Sequence, residues 1–460
     1  MNLSEGILKE VLHLMYEKGH SLSMIQKVTV LSFDEIYVSK KIEIDRKLEQ
    51  IVGPHKTTQI GMARGLFHNW RQPIYYKHDQ PLTTENLEDI ICKLWDIGYI
   101  VVAVVTDLGG GNPQAFKTYN IGIDENEQCF FKHPKNADHK ILVFSDAPHD
   151  LKLFRNHFID TGFIIEEDGI EKHINKKVIE ELIMLNSKND LKVAFKIDRE
   201  HLDVVGAKRQ NVSKAAKLIS KTVAQAINWC GENGLLTYED WKTAAEIIKL
   251  INDWFDIFNS KVPFNYKIGK EPYGKNLTHQ NSILERVTKF MKKVKIGNHK
   301  TLLPFQKGFI LNNMSIQQML SYLKKTFNTD DFVIEYILTT RLNQDCLENL
   351  FSYLRAMGLM YDHPSPLSLR YRLKWYILGK HSEVILSPDS KNVEDDKTPA
   401  LVDFNDKSTP LMKLSLDNSE NNENDVFNHG LADEFSYRFL QYEPNDNIKD
   451  VTEKEINGMH

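Results

Sequence analysis

The sequence predicts an α/β protein interrupted by a long helical segment, and three observations carry that prediction. Tyr99 to Thr106 is an apolar run, β-branched almost throughout from Val101 to Val105, halted by Gly109-Gly110-Gly111. Lys140 to Ser145 repeats the design of an apolar strand ending in polar residues. From residue 170 to about 330 the hydrophobic period becomes that of helices.

Taken in order, residues 5–18 have an amphipathic helical pattern that ends near Gly19. Thr29 to Val38 reads as a strand with a carboxylate, Asp34, in an apolar context. Lys41 to Ile51 and Gln72 to Tyr76 are candidates for two further strands, with Gly53-Pro54 and Gln80-Pro81 as breaks. Thr83 to Gly98 follows as a helix, capped by Thr83 or Thr84, with Leu87, Ile90, Ile91, Leu94 and Trp95 on one face. The Tyr99 strand comes next. Strand, strand, strand, helix, strand is the order of the ribonuclease-H-like fold, though other α/β folds contain such a segment. After the Lys140 strand, residues 150–163 are predicted helical. Helices are then expected over residues 174–185, 212–231, 238–260, 284–294 and 315–326. The α/β pattern resumes with a strand at Phe332 to Leu338 and a helix carrying Asp345, Cys346 and Glu348, whose apolar stripe is Leu347, Leu350, Phe351 and Leu354.

Five segments result: a helical segment over 1–25, a first α/β part over 26–168, a helical insertion over 169–330, a second α/β part over 331–385, and an acidic, largely disordered tail over 386–460. Within the tail, Phe427 to Tyr442 is a small apolar island. The chain of 460 residues, 41% hydrophobic and 26% charged, is ordinary for a soluble protein of two or three domains. No run approaches a membrane span, and the first residues lack a signal-peptide pattern. Cys92, Cys129, Cys230 and Cys346 stand far apart, which argues against a disulfide framework or a sequence-local zinc site and favours a reducing compartment. The net charge of −5 is unevenly placed: residues 382–460 carry 18 acidic and 7 basic side chains, leaving +6 on the rest. A mildly basic body suits a polyanion partner, as does any solvated lysine-rich face.

Three carboxylates stand out. Asp34 lies inside a strand, where an unpaired buried charge costs several kcal/mol. Asp107 ends the Tyr99 strand, where open α/β sheets collect ligands; it could equally cap the turn into the glycines. Glu348 borders the apolar stripe of a late helix. Sets of this kind hold paired Mg²⁺ ions in phosphoryl transfer, because hard cations need oxygen ligands on rigid elements. Asp146 and His149 sit at the mouth of the Lys140 strand, where Asp146 is read as the cap of the next helix, beside Pro148 in its first turn. Lys152 and Arg155 on that helix are either phosphate contacts or solvated charges. Gly109-Gly110-Gly111 lacks a following Gly-Lys-Ser/Thr, so no Walker-type phosphate loop is supported, and Gln114 breaks the dinucleotide fingerprint.

Several blocks in sequence resemble P-element-type transposases, the group that includes the THAP-domain transposases. They are Ser32-Phe-Asp-Glu-Ile36, Thr106-Asp-Leu-Gly-Gly-Gly-Asn112, Phe144-Ser-Asp-Ala-Pro-His-Asp-Leu-Lys-Leu-Phe-Arg-Asn156, Trp254-Phe-Asp-Ile-Phe-Asn-Ser260 and Arg341-Leu-Asn-Gln-Asp-Cys-Leu-Glu-Asn-Leu-Phe351. The resemblance spans roughly residues 20–380. It implies a ribonuclease-H-like catalytic domain interrupted by a helical GTP-binding insertion, acting on DNA. By motif, Asp34, Asp107 and Glu348 are the catalytic and metal-binding residues, with Mg²⁺ or Mn²⁺ as the metal. The implied reaction is hydrolysis at transposon ends, then attack of the freed 3′-hydroxyl on target DNA. Asp256 and Asn259, with Phe255 adjacent, are implied to bind GTP, and Lys196 and Asp345 are further candidates by position. An Asp carboxylate can accept both N1–H and N2–H of guanine. For Phe255 the competing reading is core packing, and for Asp256 and Asn259 a polar helix surface.

Family members open with a Cys₂-Cys-His zinc finger, but the first cysteine here is Cys92. A fragment, a truncated gene or a domesticated copy is therefore expected, and a non-catalytic DNA- or GTP-binding regulator stands as the alternative to an active transposase. A homo-oligomer is a possible assembly, no membrane association is expected, and nuclear localisation follows from the DNA role alone.

Overall fold

A computed structural model describes residues 3–107, 112–167, 169–188, 192–265, 269–330, 332–357, 363–378 and 401–403. All fall within one compact unit, Met1–Asn405. Strand β2 (Val28–Tyr37) lies at the heart of a sheet because every residue from Val28 to Phe33 is apolar or small enough to be fully buried. Antiparallel β5 (Thr57–Gly65) and parallel β7 (Ile100–Thr106) flank it. Beyond β5 come β6 (Arg71–His78) and the two-residue edge strand β1 (Gly6–Ile7); beyond β7 come β9 (Asn136–Ser145) and β8 (Phe130–His133). The order is β1-β6-β5-β2-β7-β9-β8. Its central five strands, three antiparallel and then two parallel to β2, have the predicted ribonuclease-H-like arrangement.

The parallel connection from the hairpin to β7 needs a crossover helix. Helix α2 (Thr84–Asp96) supplies it, with the predicted Thr83 cap accepting the Asn86 N–H and Leu87, Ile90, Ile91 and Leu94 buried. That face of the sheet also packs α1 (Lys9–Gly19), α10 (Asp345–Ala356) and α11 (Pro366–Leu378). The core on the opposite face takes in α3 (Ala147–Asp160) and α9 (Pro304–Phe327) and continues away from the sheet through the helices between them: α4 (Lys177–Lys188), α5 (Val212–Leu218), α6 (Lys221–Glu232), α7 (Trp241–Phe258) and α8 (Leu277–Lys293). Helix α9, expected at residues 315–326, begins eleven residues earlier at Pro304. It lies along β9, where Ser315 Oγ donates to the Val143 carbonyl at 2.6 Å and Asn312 Oδ1 accepts the Ser145 N–H at 2.9 Å.

The structure corrects several predicted elements. The expected strand at residues 41–51 is a separate small hairpin, β3 (Glu43–Asp45) and β4 (Gln50–Val52), and β5 is the true second strand of the sheet. Its sequence, Thr-Thr-Gln-Ile-Gly-Met-Ala-Arg-Gly, has little of the β-branched signal, because its place is set by what its neighbours leave room for. A Cβ on Gly61 would stand 2.8 Å from the Phe33 ring and 3.0 Å from Tyr75 Cβ. Residues 163–174 form a hairpin, β10 (Phe163–Glu167) with β11 (Ile170–Ile174), before the helical block starts. The helix expected at 212–231 is broken in two, with Ser220 capping α6 through the Val223 N–H. The Phe332 strand, β12 (Phe332–Ile334), does not join the sheet; it pairs with β13 (Leu401–Asp403), three residues inside the expected tail. The rest of the tail, its apolar island and Gly109-Gly110-Gly111 lie outside the described residues.

Candidate active site

Adjacent parallel strands deliver the two aspartates. Phe33 on β2 pairs with Thr106 on β7, so Asp34 and Asp107 are the next residues along neighbouring strands. The pairing of β2 with β7 stops there, so the two carboxylates stand just past the end of that paired stretch. Glu348 arrives from the first turn of α10. That helix is fastened to both strands' neighbourhood by the residue before it. Gln344 Nε2 donates to the Phe33 carbonyl at 2.5 Å, and its backbone N–H donates to Asp146 Oδ1 at 2.9 Å. Glu348 is therefore held by contacts to the residue preceding Asp34 and to the end of β9.

The charges of the three carboxyls bear on one another. The Asp34 carboxyl is raised to about 7, above all by burial, with the Asp107 and Glu348 carboxylates adding to the rise and the Glu35 N–H and Lys152 opposing it. Groups that repel one another in this way share one electrostatic site. Asp146 is likewise lifted to about 8 by burial and then by Glu348. Against this negative charge stands Lys152, whose ammonium lies 3.5 Å from Glu348 Oε1.

The structure decides between the open readings of the β9–α3 motif. Asp146 is the α3 cap, with Oδ2 accepting the His149 N–H at 2.9 Å and Pro148 in the first turn. It is also the acceptor that anchors Gln344, a role the sequence does not reveal. Burial, then Lys152, lowers His149 to about 4, so it is neutral and no cation. Lys152 and Arg155 are neither solvated charges nor open phosphate contacts. Lys152 is 6% exposed against Glu348, and Arg155 is fully buried, donating to the Arg209 carbonyl at 2.8 Å and to Asn156 Oδ1. Asp150 was missed: it is buried on α3, accepts from Asn312 Nδ2 at 3.2 Å, and burial holds it well above the usual carboxylate range. Its carboxyl occupies the space a Cβ at Gly308 would need.

The residues expected to contact GTP are more dispersed. Phe255 is 9% exposed within the core, as the packing reading had it. Asp256 Oδ2 accepts from Asn252 Nδ2 at 3.1 Å and Oδ1 lies 3.7 Å from Lys270 Nζ; burial raises its carboxyl. Asn259 is the C-cap of α7, one turn on. Lys196 is exposed beside Phe195. Asp345 opens α10 one turn before Glu348, where its charge bears on Asp146.

Comparison with known proteins places this geometry. Residues 3–120 match the family model "TNP-like, RNase H N-terminal domain" and residues 148–272 match "TNP-like, GTP-binding insertion domain". Among solved structures, a chain of the "Drosophila P element transposase strand transfer complex" superposes with a TM-score of 0.76 at 37% identity, covering 84% of each chain. The chain belongs to the P-element-type transposase family. The "Transposable element P transposase" of Drosophila melanogaster is 39% identical over 82% of this chain and 48% of its own length. The human "DNA transposase THAP9" is 27% identical over 70% of this chain and 36% of its own. This family member thus spans about half the length of the first relative and just over a third of the second. It combines a ribonuclease-H-like domain with a GTP-binding insertion domain, and among the described residues no helix is long and apolar enough to cross a membrane.

Proposed function

We propose that this chain is the catalytic core of a DNA transposase, cutting DNA and joining the freed end with a divalent metal at Asp34, Asp107 and Glu348. The observation that supports the reading is the β2–β7 register, which sets Asp34 and Asp107 on adjacent strands, where the charges of Asp107 and Glu348 both bear on Asp34. The donor set fits Mg²⁺ or Mn²⁺, because it consists of carboxylate oxygens on a strand, a strand end and a helix. Like charges so gathered are destabilising until a cation joins them, and Lys152 offsets only part of that charge. A pair of such ions, when bound, activates an attacking hydroxyl and stabilises the leaving oxygen. Gln344 and Asp146 hold the helix that carries Glu348, and Lys152 holds the Glu348 carboxylate against the site. DNA is the substrate, and a nuclear location follows from it.

GTP is proposed as a binding cofactor of the insertion, read by Asp256 with Asn259, Lys196 and Asp345 at its periphery and Phe255 as packing beneath. Two experiments test the reading. Mn²⁺- or Mg²⁺-dependent nicking of oligonucleotides should disappear in Asp107→Ala; cleavage unchanged in that variant overturns the metal site. Failure of both proteins to cut would favour the regulatory alternative. GTP should raise the melting temperature of the wild type and not of Asp256→Ala, and an equal rise with ATP would refute guanine recognition.

A further inference from the structure

On the far side of the hairpin from β7, Glu5, His55 and His78 each offer one ligand atom within 4.8 Å of the other two. We propose that these three residues bind a divalent cation of the Zn²⁺ class at the edge of the sheet. Zinc is held tetrahedrally by imidazole nitrogen and carboxylate oxygen at about 2.0–2.2 Å, which places ligand atoms roughly 3.3 Å apart. The three atoms therefore need to close by at most about 1.5 Å.

The surroundings are those of metal-binding histidines. His55 Nδ1 is 2.9 Å from Asp79 Oδ2, and the other oxygen of Asp79 is fixed by the Lys56 and Thr57 N–H groups at 2.8 and 2.9 Å. His78 Nδ1 is 2.7 Å from Thr58 Oγ1. A carboxylate or hydroxyl on one ring nitrogen fixes the tautomer and leaves the other nitrogen to the metal. In both histidines it is Nδ1 that is engaged in this way. The rings are stacked, with centroids 4.3 Å apart and 9° between planes, so their in-plane lone pairs run parallel and the His55 ring must turn for both nitrogens to meet one ion. His78 is buried and rigid on β6, whereas His55 is on a loop and Glu5 is exposed, so the last two can move to the ion. Pairing of Gly6 with Tyr76 already brings Glu5 beside the strand end, where its carboxylate is 3.5 Å from the His78 N–H. Arg370, the nearby cation, is neutralised by Asp45. Three protein ligands leave a fourth position for water, and the ion would clip the segment before β1 to the hairpin of β5 and β6. This site is distinct from the Asp34 carboxylates in ligand type as well as place: it offers imidazole, which suits zinc over magnesium.

The test uses the full chain carrying Asp107→Asn, stripped with chelator and titrated with Zn²⁺. One Zn²⁺ per chain should survive gel filtration, and Co²⁺ in its place should give the visible absorption of a four-coordinate nitrogen and oxygen site. Glu5→Gln and His55→Gln each alter an accessible side chain. Each should weaken binding at least tenfold while leaving the melting temperature of the metal-free protein unchanged. Asp79→Asn, which touches no metal, should weaken it about 10–100-fold. Zinc uptake that is absent from the parent, or unaffected by both Glu5→Gln and His55→Gln, overturns the proposal, as does a Co²⁺–thiolate band showing that cysteines hold the metal.

Discussion

Replacing Asp34 by Asn should stabilise the metal-free protein at neutral pH. The native carboxyl is raised from 3.8 to about 7, so folding holds a proton that the unfolded chain releases. Below about pH 4 the carboxyl is protonated in both states and costs nothing. As pH rises from there to about 7 the unfolded state ionises first, and stability falls throughout that window; above it the whole cost is present. The shift corresponds to about 4 kcal/mol, and relaxation of the neighbouring carboxylates reduces the expected gain to roughly 2–3 kcal/mol. Asn keeps the oxygen that accepts the Glu35 N–H at 2.7 Å, so local geometry is retained. Urea denaturation in EDTA at pH 5 and pH 8 measures the effect, which should be about two- to threefold larger at pH 8. Added Mg²⁺ should then stabilise the wild type more than the variant. A variant as stable as the wild type at pH 8, or one with the same pH dependence, would refute the account of Asp34 as a carboxylate strained by its neighbours.

Two further outcomes are expected. Gln344→Ala removes the bond to the Phe33 carbonyl and opens a small cavity, costing about 1–3 kcal/mol. Because Glu348 then loses its fixed position, cleavage should fall about 100-fold while DNA affinity in a filter-binding assay is unchanged; equal loss of both would point to general unfolding. Gly61→Ala forces a Cβ to 2.8 Å from the Phe33 ring and should destabilise by about 1–3 kcal/mol in the same urea assay, with an unaltered midpoint counting against the packing argument.

The sequence made some elements plain and hid others for physical reasons. Strand β7 and the stretches Val28–Phe33 of β2 and Ile141–Ser145 of β9 are buried on both faces, so their apolar runs read directly, and Thr83 and Asp146 mark helix starts through side-chain caps. Strand β5 was concealed because Gly61 and Gly65 are there to clear Phe33, Tyr75 and Trp70, and clearance leaves no hydrophobic pattern. The three carboxylates could be picked out one at a time, each as a charge in an unfavourable place. Nothing in their spacing reports the Gln344 and Asp146 bonds that bring Glu348 to the strands. Lys152 and Arg155 show the same limit: a basic pair on a helix looks solvated until the elements packed over it are known.

The Gln344 bond to Phe33 joins residues 311 positions apart in the chain. Contacts of such long sequence separation form late, since a long loop must close before they can be made. A nascent chain can complete β2, β7 and β9 with Asp34 and Asp107 in register while Glu348 is still unsynthesised. Any chemistry that needs all three carboxylates is thereby withheld until translation has passed α10, and a product terminated earlier lacks the third carboxylate.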